Sequence, residues 1–479
     1  MNAVPHIPVY RLGRDYESLE QNELTDFRGD QCVARVSQAN AGLIRRDLKA
    51  IDRAFDTLQG QTTRAMIDVC ARAGNLFMEA ELPVDAVTAQ GPVEYVAALS
   101  DSCGLPRALC RANMVKIQHV MAHMDDVLDG LTRRIEFDVL DRGIGELGGQ
   151  PIGFCPTTHS LGVVLPSNSP GVNSLWLPAV ALRIPVILKP GREDPWTPWR
   201  IIQSFLAAGC PPEAFGFYPT SHEGSDAVLA GCGRAILFGD QSTVERYASR
   251  PSVSVHGPGF SKILIGEDMA DGWESFIDVL ADSVALNSGR SCVNASTIVA
   301  PRHAEAIARA LAERLATIQP LPLDADGAKL AGFVRREVAE WTTQQIDQAL
   351  AGNGAKDISE SIRGGPRMVD AGGVTYLLPT VVHCRDSGHA LAKSEFLFPF
   401  ASVVEIPQPE MLDWIGPTLV ATAITEDSAF QTALIRCSEI DRLNLGAIPT
   451  PVVRWDQPHE GNLFEFLYRR RAIQRGGDA

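Results

Sequence analysis

From Leu161 onward the sequence alternates between short runs of apolar, mostly branched side chains and longer stretches whose apolar residues recur at helical spacing. Leu161-Gly-Val-Val-Leu165, Val186-Ile-Leu188, Phe215-Gly-Phe217, Ala235-Ile-Leu-Phe238 and Ile263-Leu-Ile265 read as strands. Asn173 to Arg183, Thr197 to Ala208, Ser225 to Ala230 and Ser242 to Ala248 read as the helices between them. A strand apolar on both faces and flanked by helices belongs in a parallel sheet covered on both sides. A second series starts at Trp273, with a helix to Leu286, a strand Thr297-Ile-Val299 and a helix His303 to Ala316. The fold class that follows is α/β, with two Rossmann-type parallel-sheet domains side by side and a ligand cleft between them.

Around this core lie two further kinds of sequence. Ala41 to Arg133 is helical in pattern and reads as scaffold, whereas Ile135 to Pro156 is punctuated by Gly143, Gly145, Gly148 and Gly149 and reads as a β-hairpin or extended arm. The expected division is residues 1–134 with 157–267 in a cofactor-binding domain, 268–445 in a cysteine-bearing domain, and 135–156 with 446–479 as oligomerisation or bridging segments.

Composition narrows the function classes. The 479 residues exceed one ordinary domain, and a formal net charge of -15 disfavours a nucleic-acid or anionic membrane surface. Arg469-Arg-Arg471 is a lone basic run and reads as a solvated or subunit-facing strand. No apolar window is long enough to span a bilayer, and the start of the chain lacks a leader-like core, so no membrane insertion and a cytoplasmic location are expected. Ten cysteines without a CxxC pair read as reduced thiols, mostly buried. His119 and His123 are spaced for one helix face beside Asp125 and Asp126, but read as helix surface, and no metal is expected.

Five segments, in order, carry a family resemblance: Pro166-Ser167-Asn168-Ser-Pro170, Leu188-Lys189-Pro190, Phe238-Gly239-Asp240, Asn287-Ser-Gly289-Arg-Ser-Cys292 and Glu395-Phe-Leu-Phe-Pro399. Over about residues 30 to 470 the chain resembles the aldehyde dehydrogenase superfamily. The resemblance implies an oxidoreductase in which Cys292 attacks an aldehyde and Asn168, with the Cys292 backbone N–H, holds the oxyanion. It also implies a nicotinamide cofactor bound by Pro166, Ser167, Lys189, Gly239 and Glu395. Cys292 itself lies among small polar residues with Arg290 close by in sequence, a setting that favours thiolate. In NAD-preferring relatives the place of Arg192 is often a ribose-gripping glutamate; an arginine cannot accept those bonds but can pair with a 2′-phosphate, so NADP is favoured over NAD.

One departure bears on the reaction. Hydrolytic relatives carry a base glutamate in a Glu-Leu-Gly-Gly-Lys-type segment, and here that place holds His256 in Val255-His256-Gly257-Pro-Gly259. Without a water-activating carboxylate, a thioacyl-enzyme can persist until a coenzyme A thiol arrives. The Gly257-Pro-Gly259 turn is similar to that of CoA-acylating aldehyde dehydrogenases and of luminescence-type acyl-CoA reductases. The expected reaction is therefore interconversion of an aldehyde and an acyl-CoA, with coenzyme A as co-substrate. The alternative is hydrolysis to the free acid, with His256 or another base activating water. His256 as base, as thiol contact and as a structural residue all remain open at this level. His459 and Glu460 are placed as candidate substrate-tunnel residues. The resemblance further implies a homodimer or homotetramer in which the 135–156 hairpin and the C-terminal stretch extend a partner's sheet.

Overall fold

The computed structural model describes residues 4–29 and 31–474. The strand runs from Leu161 form a parallel sheet of β1 (Leu161–Val164), β2 (Val186–Lys189), β3 (Phe215–Phe217), β4 (Arg234–Phe238) and β5 (Val253–His256), ordered β5-β4-β1-β2-β3. Val9–Arg11 adds an antiparallel edge strand next to β3, and Asp15–Tyr16 follows it. The order reverses beside β1, so the loops leaving β1 and β4 open a crevice at the carboxyl edge.

The second sheet contains β6 (Ser261–Ile265), β7 (Ala295–Ala300), β8 (Ala355–Asp357), β9 (Thr380–Cys384), β10 (Phe400–Glu405), β11 (Thr418–Ile424) and β12 (Ile440–Leu445), ordered β8-β9-β10-β7-β6-β11-β12. Only β8 runs antiparallel to its neighbour. Alternate residues feed two cores: Ile263, Ile298 and Val403 pack under helices Ile277–Ala285 and Ala304–Leu315, while Leu264, Val299 and Val404 join the cluster under Arg336–Leu350. Both faces are thus covered, as continuous apolar strands require. The run Ile263-Leu-Ile265, counted above with the first sheet, belongs to the second: β6 pairs with β7 and β11, so the chain changes sheets after His256 rather than near residue 267. The Gly257-Pro-Gly259 stretch supplies that crossing, because glycines flanking a proline end a strand without continuing it.

Other local readings shift for identifiable reasons. The arm is not extended from its start: Phe137–Arg142 is helical and stops at Gly143 with φ +71°. Only then does the hairpin Ile144–Leu147 to Gln150–Pro156 form, across Gly148 and Gly149 with φ +59° and +79°. Pro178 divides the expected 173–183 helix into a 3-10 turn, Pro170–Leu175, and a short helix, Leu177–Ala181. The helix carrying His119 ends at Ala122, His123 reaches back to the His119 carbonyl at 2.9 Å, and no metal-binding group of His, Cys, Asp or Glu occurs among the described residues. The arginine run forms strand Tyr468–Arg471 against Gln150–Pro156. No described helix is long and apolar enough to cross a membrane.

Arg183 fastens the arm to the first domain. It is 1% exposed, donates to the carbonyls of Leu140 at 2.8 Å and Gln61 at 3.2 Å, and lies 3.3 Å from Asp141. Removing a buried cation leaves these acceptors uncompensated. Arg183→Ala is expected to lower unfolding free energy by about 3 kcal/mol, measured as a shifted urea midpoint with unchanged slope.

Candidate active site

The crossing between sheets is pressed against the loop that carries Cys292. A Cβ on Gly259 would overlap the Cys292 carbonyl oxygen, so only glycine allows this approach. The contact is fixed from both sides: the Leu419 N–H donates to the Gly259 carbonyl at 2.8 Å, and the Ser261 hydroxyl donates to the Cys292 carbonyl at 2.8 Å. The sulfur-bearing turn therefore sits where the two sheets meet.

Upstream of Cys292 the backbone takes three left-handed steps in succession, Asn287, Ser288 and Gly289, with φ +54°, +60° and +64°. Side chains and packing stabilise this conformation. Asn113 donates to Asn287 Oδ1 at 2.7 Å, Asn287 donates to Ser169 Oγ at 3.1 Å, and Ser288 Oγ accepts from the Ala331 N–H at 2.8 Å. Asn294 accepts from the Ser291 N–H at 3.0 Å and donates to the Leu286 carbonyl at 2.9 Å, closing the turn downstream. Strain held by so many bonds characterises a preorganised site.

Arg290 does not lie beside the thiol as its sequence position suggested. Its guanidinium is buried in the opposite direction and donates to the carbonyls of Cys103 at 2.9 Å and Gly332 at 2.5 Å. Burial first, then the charges of Glu460 and Glu395, push the Cys292 thiol well above its usual range, with Lys116 acting in the opposite sense.

Asn168 faces the same loop: its side-chain amide donates to the Arg290 carbonyl at 2.8 Å, leaving a second N–H free of that bond. Next to it, the loops after β1 and β2 are packed together. The Glu193 N–H donates to Ser167 Oγ at 3.1 Å, and a Cβ on Gly191 would come within 2.5 Å of the Pro166 carbonyl oxygen. Beyond lies a cavity of ≈ 1170 Å³ lined by Lys189, Pro190, Arg192, Glu193, His222 and Arg335 among others. Lys189 is half-buried, and burial lowers its ammonium from the usual range against the opposing charge of Glu193. Arg335 reaches this cavity from the cysteine-bearing domain and carried no signal in sequence, because it lies far from every motif. Gly239 lies elsewhere in the crevice: its N–H donates to the His256 carbonyl at 3.1 Å. At the start of the following helix the Asp240 carboxylate accepts the Thr243 N–H at 2.9 Å and the Ser242 hydroxyl at 2.7 Å.

Glu395 and His256 complete the set. Glu395 Oε2 accepts the Phe260 N–H at 2.6 Å, and burial pushes its carboxyl up to about 7. Lys262, two residues from Phe260, donates to the Phe260 carbonyl at 2.6 Å and to Thr418 Oγ1 at 2.8 Å, and burial pulls it down to about 8. His256 is 6% exposed at the end of β5, tilted against Phe238 with ring centroids 5.0 Å apart. Its Nδ1 bonds Glu460 Oε2, and its Nε2 lies 3.2 Å from Ser254 Oγ.

Residues 23–414 match the model of the aldehyde dehydrogenase family. The fold is similar to the aldehyde dehydrogenase KauB from Pseudomonas aeruginosa, with a TM-score of 0.81 at 17% identity over 98% of this chain and 96% of that one. It is similar also to a mutant of P. syringae AldA, an indole-3-acetaldehyde dehydrogenase in complex with NAD+ and IAA, with a TM-score of 0.81 at 16% identity over 98% and 96% of the two chains. A mutant of Pseudomonas syringae AldC in complex with NAD+ and octanal gives 0.79 at 19% identity over 98% and 96%. A search of the curated proteins returns no match.

The Glu395 carboxyl fixes one pH dependence. Its pKa is raised from 4.5 to about 7, so between these values the folded chain holds a proton that the unfolded chain has released. Stability conferred by the protonated form is complete below 4.5 and lost as pH rises through about 7. Glu395→Gln is expected to be more stable than the parent at pH 8 by about 2 kcal/mol, with the difference gone at pH 4.5, as read from denaturant midpoints.

Proposed function

Because the chain belongs to the aldehyde dehydrogenase family, we propose that it oxidises an aldehyde with NAD(P) through a thioacyl intermediate on Cys292. The observation that carries this reading is the strained, many-bonded turn that holds Cys292 at the meeting of the two sheets, beside an amide and near a cavity whose wall mixes Lys189, Arg192 and Arg335 with carboxylates. Lys189, Arg192 and Arg335 fit the phosphates of a dinucleotide, and Glu193 and Glu395 offer carboxylates suited to ribose hydroxyls. When bound there, NAD(P) supplies the hydride acceptor.

Each residue then has a task. Cys292, which is partly open to solvent, passes its Sγ proton to water and attacks the carbonyl carbon. The free N–H of Asn168, with the Cys292 backbone N–H, takes up the charge that develops on the carbonyl oxygen. Pro166 and Ser167 hold the loop that positions Asn168, and Gly239 brings β4 against His256. The exposed guanidinium of Arg192 at the cavity wall favours a 2′-phosphate, so NADP is the preferred cofactor. The fate of the thioacyl group is transfer to coenzyme A, because an imidazole in a Gly-Pro-Gly context replaces the family's glutamate. A second reading, release to water, is favoured by the carboxylate of Glu460 bonded to that imidazole. The proposal includes a homodimer or homotetramer, supported by the strand Ile144–Leu147 at one edge of the three-stranded arm sheet.

A steady-state assay with an aldehyde panel, NADP or NAD, and with or without coenzyme A tests the reading. Cofactor reduction is expected with at least one aldehyde and is expected to fall about 10³-fold or more in Cys292→Ser. Turnover that requires coenzyme A supports the acylating branch, and steady acid formation without it supports the hydrolytic one. Arg192→Glu is expected to move the NADP-over-NAD preference towards NAD by about tenfold or more. Absence of aldehyde oxidation under every condition contradicts the proposal.

A further inference from the structure

The family's missing carboxylate is restored from a different part of the chain. Glu460 belongs to a loop beyond the residues 23–414 that the family model matches, so no motif of that model marks it. Its carboxylate reaches the imidazole that stands in the glutamate's place, and its charge is second only to burial in raising the Cys292 thiol. We propose that Glu460 is the base that activates the nucleophile which releases the acyl group from Cys292, with His256 as its positioning residue. The inference rests on the reading of Cys292 as the acylated nucleophile given above.

The loop is built to hold this carboxylate in one place. Glu460 itself is left-handed, φ +50°, and is followed by Gly461 at φ +91°. A left-handed glutamate costs energy and persists only where its surroundings enforce it. Here Arg442 donates to the Pro458 carbonyl on one side, and Asn462 donates to the Leu131 carbonyl at 2.9 Å on the other. Between them His459 is partly buried, its enclosed Nδ1 lacks a partner, and its ring packs near Trp455, centroids 5.9 Å apart. Pinned at both ends, the loop delivers Glu460 to the sheet crossing.

The hydrogen bonds assign the roles. An ionised carboxylate only accepts, so His256 Nδ1 is the donor to Glu460 Oε2, and Nε2 accepts from the Ser254 hydroxyl. The imidazole is thereby engaged at both nitrogens, whereas Glu460 has a second oxygen in reserve. Glu395, the other nearby carboxylate, is tied to the Phe260 N–H, and burial lifts it to about 7. The groups that face the pair are Glu395, Asp441, His459 and Cys292.

The step balances without a further reagent. The free oxygen of Glu460 takes the proton of the acceptor, water or a thiol, as the acceptor's oxygen or sulfur bonds to the thioester carbon. The tetrahedral adduct collapses, the bond from carbon to Cys292 Sγ breaks, and the proton passes from Glu460 to the departing sulfur. The acyl group leaves as an acid with water or as a thioester with a thiol; no electrons are gained or lost.

The ester p-nitrophenyl acetate tests this step without aldehyde or cofactor, since it acetylates a reactive cysteine directly. The parent protein is expected to give a burst of one nitrophenolate per chain followed by slower turnover. Glu460→Gln is expected to keep the burst and lose the turnover by about 100-fold or more, both in buffer and in a parallel arm with coenzyme A. The retained burst shows that the variant is folded. Glu460→Asp, with the carboxylate drawn back by one methylene, is expected to retain part of the turnover. His256→Asn is expected to cut turnover less and to alter its pH profile, which a purely structural role leaves in place. If Glu460→Gln keeps both burst and turnover, Glu460 is not the base. If the parent shows no burst, the assignment of Cys292 fails instead.

Discussion

The contact between Gly259 and the Cys292 carbonyl organises the molecule. It is the place where the chain leaves one parallel sheet for the other, and its closeness excludes any side chain. Because Leu419 and Ser261, both on the second sheet, bond the two partners, movement of that sheet would carry the sulfur turn with it. The left-handed run at 287–289 leads into Cys292, and Asn113, Ser169 and Ala331 hold that run from the neighbouring domain or loop. Geometry at the cysteine is thus a property of the domain junction rather than of a local motif.

Enclosing the cysteine has electrostatic consequences. Burial and two carboxylates raise its thiol. Arg290, which sequence proximity offered as the activating charge, instead locks the loop to Cys103 and Gly332. Charge near the sulfur comes from Lys116 on the helical scaffold and from Glu460 on the C-terminal loop. Three distant parts of the chain set the proton inventory of one atom.

The sequence displayed the sheets because buried parallel strands leave continuous apolar runs, which periodicity detects directly. Cys292, Asn168, Lys189 and Glu395 stood out in it as candidates, since each sits in a short motif with its own turn residues. It misassigned β6 because a strand's sheet depends on long-range pairing, and Ile263-Leu-Ile265 looks the same in either sheet. His256 was visible as a departure, but its bond to Glu460 was not, because 204 positions separate the two. Arg335 and Lys116 escaped notice for the same reason: a single cation on a helix end or face has no local pattern that distinguishes it from solvated surface.

The central claim is that chemistry passes through a covalent acyl group on Cys292. Mixing the protein with NADP and an oxidisable aldehyde, quenching in acid within one turnover and mapping peptides by mass spectrometry tests it directly. The account predicts an acyl adduct, of the aldehyde's mass less one hydrogen replacing the thiol hydrogen, on the Cys292 peptide and on no other cysteine. Cofactor reduction without an adduct at Cys292, or with the adduct at a different residue, would contradict it.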